Sequence, residues 1–333
     1  MPKKIDYKKL TEKKKILDKR RPFDAALVKN LEEWFRIELT YNSNAIEGNT
    51  LSRAETALVV EKGLTIGGKS INEHLEATNT AAALDFIKEQ IKRKPSDIKE
   101  KDILKIHEII LDRIDKENAG IYRRVPVRIS GSGVVLPNPR KVQTLMDEFF
   151  SWIKNETKMH AVELAAEAHY RFVTIHPFID GNGRSARLLM NMILMMRGFP
   201  PAIIRKNDRL AYIKSLEKPQ LVGGEGDSKN DYFKLIAAAV DRSLNIYLKA
   251  LEGEVEEVKS EKLLKIGELA KATNQTVPTI RHWTKEGLLQ VAQVTEAGYQ
   301  MYSKEMIERV ARIEEMKGER MRLGEIKEGI END

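Results

Sequence analysis

The stretch Ile175–Pro200 reads IHPFIDGNGRSARLLMNMILMMRGFP, and the rest of the chain is best read outward from it. His176 stands before a proline, which places it in an extended or turn conformation outside a helix. Asp180-Gly181-Asn182-Gly183 has the composition of a turn, and the apolar run Leu188 to Met196 that follows has that of a buried helix. That run contains Asn191 and is far shorter than the roughly 20 residues that cross a bilayer, so no membrane partner is expected. The glycines let a ligand approach the backbone closely. Free N–H groups at the start of the new helix favour an anion. Arg184 and Arg187, three residues apart, share a face of that helix and suit forked clamping of phosphates. Asp180 is a hard oxygen donor beside the anion site and suits Mg²⁺ bridging phosphates.

Helical periodicity dominates elsewhere. Asp24 is placed to cap a helix in which Leu27, Val28, Leu31, Trp34 and Phe35 share a face, running toward Asn44 and ending near Gly48. Further helices are predicted around 52–62, 71–92, 99–114, 141–154 and 160–173. One segment breaks the pattern. Val125–Pro139, VPVRISGSGVVLPNP, alternates at Val127 and Ile129, turns at Gly131-Ser132-Gly133 and returns through Val134-Val135-Leu136, which predicts a short β-hairpin. The charged stretch Gly253–Lys262 marks a boundary, either a loop or an exposed helical continuation. The fold class is therefore mainly α with a small hairpin. Its domain plan is an N-terminal helical region 1–95, a core 96–252, a linker 253–262 and a C-terminal module 263–333.

The chain has 333 residues, 41% hydrophobic and 32% charged, which suits two or three globular domains. It has no cysteine, so disulfides and thiolate metal sites are excluded. The N-terminus has no apolar leader core, and with the missing cysteines this points to a cytoplasmic setting. Net charge is +7, and Lys3, Lys4, Lys8, Lys9, Lys13, Lys14, Lys15, Lys19, Arg20 and Arg21 crowd the first 21 residues. Such a tail can meet nucleic acid or acidic partners. The favoured reading is a solvated, partly frayed terminus.

The run His176-Pro177-Phe178-Ile179-Asp180-Gly181-Asn182-Gly183-Arg184-Ser185-Ala186-Arg187 resembles the complete Fic motif, HPFx(D/E)GNGRxxR, without departure. The resemblance implies a helical Fic fold and a protein adenylyltransferase that moves AMP from ATP to a Ser, Thr or Tyr hydroxyl of a protein target. His176 would be the general base and Asp180 the Mg²⁺ ligand. Asn182 and the backbone of Gly181 and Gly183 would line the anion hole. Arg184 and Arg187 would bind the outer phosphates, and Phe178 would anchor the loop. Related Doc-type enzymes carry lysine where Gly183 stands and transfer phosphate, so the glycine favours nucleotidyl transfer. Gly120-Ile121-Tyr122-Arg123 and the hairpin resemble the family's target-docking flap, although a purely structural hairpin would read the same. Asn207 to Tyr212 with Ser215-Leu216 resemble the segment after the core helix, which puts Tyr212 either near the nucleotide base or in packing. The family also implies self-association as a homodimer and self-modification.

Ser43-Asn44-Ala45-Ile46-Glu47-Gly48 resembles the family's inhibitory pattern, (S/T)xxxE(G/N), at the end of a helix N-terminal to the core. Ser43, Glu47 and Gly48 would form a brake in which the Glu47 carboxylate occupies Arg187 and repels the γ-phosphate. Removal of AMP, transfer of another nucleotide, and nucleotide sensing by a DNA-binding regulator stay open as alternatives. From Leu264 onward the chain resembles a MerR-type winged helix-turn-helix. Ile266, Leu269 and Ala270 would pack its first helix, and Val277–Trp283 would be the recognition helix with Thr279, Arg281 and His282 facing a groove. Residues 261–333 carry twelve Lys and Arg against thirteen Asp and Glu, and Gln300 stands where that family often has a wing arginine. DNA binding and a protein-docking or dimer-supporting role therefore both stand.

Overall fold

The computed structural model describes residues 5–221, 229–252, 263–294, 299–303, 305–318 and 326. The chain divides into two compact units, Met1–Glu254 and Val255–Asp333. The charged linker 253–262 lies outside the described residues.

The first unit is helical: α1 Lys8–Lys19, α2 Ala25–Ile46, α3 Arg53–Lys62, α4 Ile71–Glu89, α5 Glu100–Ile110, α6 Val142–Asn155, α7 Ala161–Ile175, α8 Asn182–Met196, α9 Arg209–Leu221 and α10 Asn230–Leu251. Local chemistry sets their limits. Asp24 accepts from the Leu27 N–H and starts α2, as its position in the sequence predicts. Ser52 with Glu55 and Ser70 with Glu73 form reciprocal capping boxes that start α3 and α4. α2 ends at Ile46, and the chain turns at Gly48, whose φ of 102° is open to glycine. α5 stops before the predicted 114, because the chain turns away through Arg113 in the left-handed region, φ 58°.

The α7–α8 pair is the centre of the core. Ala165, Ala166 and Ala168 on α7 are buried and small, which lets α8 approach closely. Leu188, Leu189, Met190, Met192, Ile193 and Leu194 are buried all round α8. The one polar interruption, Asn191, is satisfied: its Oδ1 accepts from Ala202 N at 2.8 Å and its Nδ2 donates to Ala202 O at 3.3 Å. Residues 1–95 and 96–252 share this hydrophobic core, from Tyr7 to Leu244. None of the helices among the described residues is long and apolar enough to cross a membrane.

Two sequence expectations are corrected. The basic N-terminus is not a frayed tail from residue 5 onward. Leu10 and Leu17 of α1 are buried, and Lys13 donates to Asp241 Oδ1 at 2.5 Å and Asn245 Oδ1 at 2.6 Å on α10. The Val125–Pro139 hairpin does not form a ladder. This segment contains a turn in which Ser132 N donates to Ile129 O, and no strand is present among its residues. Pro126, Pro137 and Pro139 lack N–H donors. The carbonyls of Val125 and Pro137 are bound by the guanidinium of Arg123 instead.

The second unit contains β1 Leu264–Lys265, α11 Ile266–Ala272, α12 Val277–Lys285, β2 Gln293–Val294, β3 Gln300–Tyr302 and α13 Glu305–Gly318. Its strands form an antiparallel sheet in the order β1-β3-β2, with Leu264 opposite Tyr302 and Gln293 opposite Met301. Leu269, Ile280, Trp283, Leu288, Tyr302, Val310 and Ile313 make a separate small core, against which Ile266 packs. Thr276 caps α12, the predicted recognition helix, and Arg281, His282 and Lys285 lie exposed on it while Thr279 is half-buried.

Leu189 is fully buried at the α7–α8 centre. Leu189→Ala is expected to lower the stability of the first unit by about 2–5 kcal/mol in urea denaturation. A loss under about 1 kcal/mol would show that α8 is not the core element described.

Candidate active site

α7 delivers His176 through a left-handed turn. His176 N donates to Phe172 O at 2.9 Å as the helix closes, and the residue itself has φ 51°, ψ 61°. A side-chain-bearing residue in this region costs ~1–2 kcal/mol, and the proline after it favours extended backbone. The surroundings impose the turn. Arg123 Nε donates to His176 O at 2.7 Å and Arg123 N donates to Pro177 O at 2.8 Å. The same guanidinium reaches Pro137 O at 2.7 Å and Val125 O at 3.3 Å. Arg123 therefore ties both legs of the flap segment to the histidine's backbone.

The His176 ring lies with Nδ1 3.3 Å from Val173 O. A carbonyl can only accept, so Nδ1 carries the proton and Nε2 keeps its lone pair. Burial pushes the imidazole pKa down, with Arg123 adding to the effect. The ring is a neutral base at pH 7.

The loop after it is closed by Asn182. Its Oδ1 accepts from Phe178 N and its Nδ2 donates to Phe178 O, both at 2.9 Å. Asn182, expected in the anion hole, thus has its carboxamide bonded to both backbone polar groups of Phe178. Gly181 has φ 74° and makes no side-chain cap for α8. The first N–H groups of that helix therefore have no side-chain partner from the cap residue. The Asp180 carboxylate is 66% exposed, and its Oδ2 accepts from Arg184 Nη2 at 3.0 Å. No group of three or more His, Asp or Glu suited to a metal occurs among the described residues. A single exposed carboxylate fits Mg²⁺ if phosphates complete its shell.

The two arginines are both buried and both paired with acids. Arg184 Nη1 meets Glu76 Oε1 at 3.2 Å, while its Nε has no partner. Arg187 Nη2 meets Glu47 Oε1 at 2.7 Å and Ser43 O at 2.9 Å, and its Nε donates to Ser43 Oγ at 3.0 Å. The structure thus joins Ser43, Glu47 and Arg187, the three positions linked in the sequence reading, with Gly48 as the turn behind them. Burial alone would pull Arg187 down; Glu47 and Tyr212 outweigh it, and the net shift is up. A Cβ at Gly183 would fall on the Glu47 carboxylate.

Tyr212 is packed in the core beside Arg187. It is 3% exposed, and its hydroxyl lies 2.8 Å from His169 Nε2 beneath Arg187. Two further site residues escaped the sequence reading. Arg123 stood in the quoted Gly-Ile-Tyr-Arg run without a role. His107, on the apolar face of α5, gave no signal beyond a polar residue among isoleucines.

With this geometry described, comparison with known proteins is informative. Residues 97–194 match the model of the Fic/DOC family, and residues 264–332 match that of the MerR HTH family regulatory protein. Over 246 residues the chain is 39% identical to Protein adenylyltransferase Fic of Culex quinquefasciatus, covering 73% of this chain and 48% of that protein. The chain spans about half the length of the curated relatives it matches. The solved structure of Fic-1 from C. elegans has a TM-score of 0.65 and 31% identity, covering 74% of this chain and 72% of that one. A Fic domain containing signaling protein from Bacteroides thetaiotaomicron has a TM-score of 0.67 and 29% identity, covering 74% of this chain and 98% of that one. The chain belongs to the Fic family.

His107 and His169 are buried and neutral, with pKa values pushed down by burial to about 4 and about 3. The unfolded chain protonates both near pH 6.5. Between about 6.5 and 4 the unfolded state therefore binds more protons, and stability falls as pH falls. The urea midpoint is expected to drop from pH 7 to pH 5, and to drop less in His169→Phe. An equal drop in both proteins would mean that His169 does not contribute.

Proposed function

We propose that the chain is a protein adenylyltransferase held off by Glu47. The observation that carries the reading is the 2.7 Å pair between Glu47 and Arg187, set beside a complete anion loop and a histidine with a free Nε2. Relatives that bear the name protein adenylyltransferase support it.

In this reading His176 Nε2 takes the proton from a Ser, Thr or Tyr hydroxyl of the target. The hydroxyl oxygen bonds to the α-phosphorus of ATP as the bond to the β-phosphate oxygen breaks, and pyrophosphate leaves. Amides at the start of α8 hold the charge that develops on the α-phosphate. Arg184 and Arg187 hold the outer phosphates. Asp180 would hold Mg²⁺, which neutralises phosphate charge when bound. The flap segment, with Val135 93% exposed, offers backbone for the target to lie against. ATP consumption and the cysteine-free chain suit a cytoplasmic setting, and the enzyme itself, as monomer or homodimer, is one available target.

Glu47 takes the cation that the γ-phosphate needs. Hydrogen bonds to charged groups contribute ~1.5–3 kcal/mol, so releasing Arg187 is expected to raise AMP transfer by about tenfold or more. Glu47→Gly, incubated with ATP and Mg²⁺, is expected to gain covalent AMP by intact mass. Wild type should gain little and Glu47→Gly/His176→Ala none. In Glu47→Gly the rate should fall on the acid side only below the ordinary histidine value of about 6.5, because the His176 pKa is lowered. If Glu47→Gly labels neither itself nor any protein in a lysate with labelled ATP, the transferase reading fails.

A second role is favoured by one observation. α12 presents Arg281, His282 and Lys285 together on its exposed side, in a unit that matches the MerR HTH model. We infer that this unit contacts duplex DNA. The full chain is expected to shift a DNA duplex, with affinity that falls as salt rises and falls again in Arg281→Ala. Binding that is insensitive to both would assign the unit to protein docking.

A further inference from the structure

His107 lies on α5 with Ile103, Ile106 and Ile110, fully buried, and both of its ring nitrogens are engaged. Gly120 N–H donates to Nδ1 at 2.9 Å, so Nδ1 carries no proton. Nε2 must then carry it, and it lies 3.0 Å from the carbonyl oxygen of Asp180. The ring is stacked flat on Phe178, with centroids 3.5 Å apart and planes 1° from parallel. A Cβ at Gly181 would stand 3.1 Å from Cδ2 of this ring and 3.2 Å from Nε2, so the loop backbone rests against it.

The Asp180–Gly181 peptide is trans. In a trans peptide the carbonyl and the N–H of the next residue point in opposite directions. Holding the Asp180 oxygen against His107 therefore turns the Gly181 N–H away from His107. Glycine at 181 makes the opposite orientation sterically accessible. That flip would present a carbonyl dipole, not a donor, to an anion.

We propose that His107 is a positioning residue that locks the Asp180–Gly181 peptide, with the carbonyl turned inward and the Gly181 N–H turned toward the nucleotide phosphates, and ties this loop to the flap root at Gly120. Its consequence for binding rests on the nucleotide site proposed above. Arg123 ties the flap to His176 and Pro177. His107 makes the second tie, between Gly120 and Asp180. Flap and anion loop are thereby fixed to each other at two points.

The amide substitutes separate this role from mere core filling. Gln can place a donor near the Nε2 position and restore the bond to Asp180 O. Asn can reach only the Nδ1 position and restore the bond to Gly120. In the Glu47→Gly background, binding of Mg²⁺ with a non-hydrolysable ATP analogue is measured by calorimetry. His107→Phe, which keeps a ring on Phe178, is expected to weaken binding at least tenfold. His107→Gln is expected to recover most of that loss and His107→Asn little of it, with melting temperatures confirming the fold. Equal loss in Gln and Asn, or binding by His107→Phe within twofold of its parent, overturns the proposal. Independently of nucleotide, ¹⁵N spectra of the unsubstituted protein at neutral pH are expected to show His107 as the Nε2–H tautomer. An Nδ1–H tautomer overturns it as well. If the Glu47→Gly parent binds no nucleotide, the functional reading is lost, and the tautomer measurement still decides the lock.

Discussion

Arg187 places a guanidinium in the core with 6% of its side chain exposed. A cation so far from water costs several kcal/mol unless an anion stands beside it. Much of the surrounding structure follows from that need. α2 runs unbroken to Ile46 so that its final turn brings the Ser43 carbonyl and the Glu47 carboxylate to the guanidinium. Tyr212, backed by His169, closes the side away from solvent. Glu47 keeps 39% of its side chain exposed, so it is the partner that can leave. Whatever replaces it must also be anionic. Under the adenylyltransferase proposal, Glu47 and the γ-phosphate compete for this one charge.

The loop that faces them has no ladder or helix of its own to hold it. Side chains bonded to backbone supply the order. Asn182 closes the turn on Phe178, Arg123 gathers the carbonyls of Val125, Pro137 and His176, and His107 bridges Gly120 to Asp180. Each is buried, where a satisfied hydrogen bond is rigid and an unsatisfied one is costly. This explains how His176 can hold a left-handed conformation that neither its side chain nor the following proline favours.

Features governed by near neighbours were legible in the sequence. The Asp24 cap, the α3 to α7 helices and the turn at Gly48 depend on residues three or four apart, and the anion-loop motif is contiguous. What escaped depends on distant partners. Val127 and Ile129 alternate as a strand would, yet whether their segment pairs is decided by Arg123 and three prolines. Leu10 and Leu17 mark α1 as a docking helix, but the surrounding lysines obscured them until Asp241 and Asn245 supplied partners. Tyr212 allowed two placements, and its bond to His169, 43 residues away in the chain, could not be read from near neighbours. His107 sits at a core spacing, where a histidine with two satisfied nitrogens and an isoleucine give the same pattern.

Position 183 joins two properties that look separate on paper. An added Cβ there would coincide with the Glu47 carboxylate and stand 3.1 Å from Arg187 Nη1. A side chain in the loop and a glutamate on the helix therefore claim the same small volume. The Glu47 carboxylate is the far end of a flexible, partly exposed side chain, so it would shift to admit an added side chain at 183. A substitution at 183 would therefore act on the Glu47–Arg187 pair as well as on the loop.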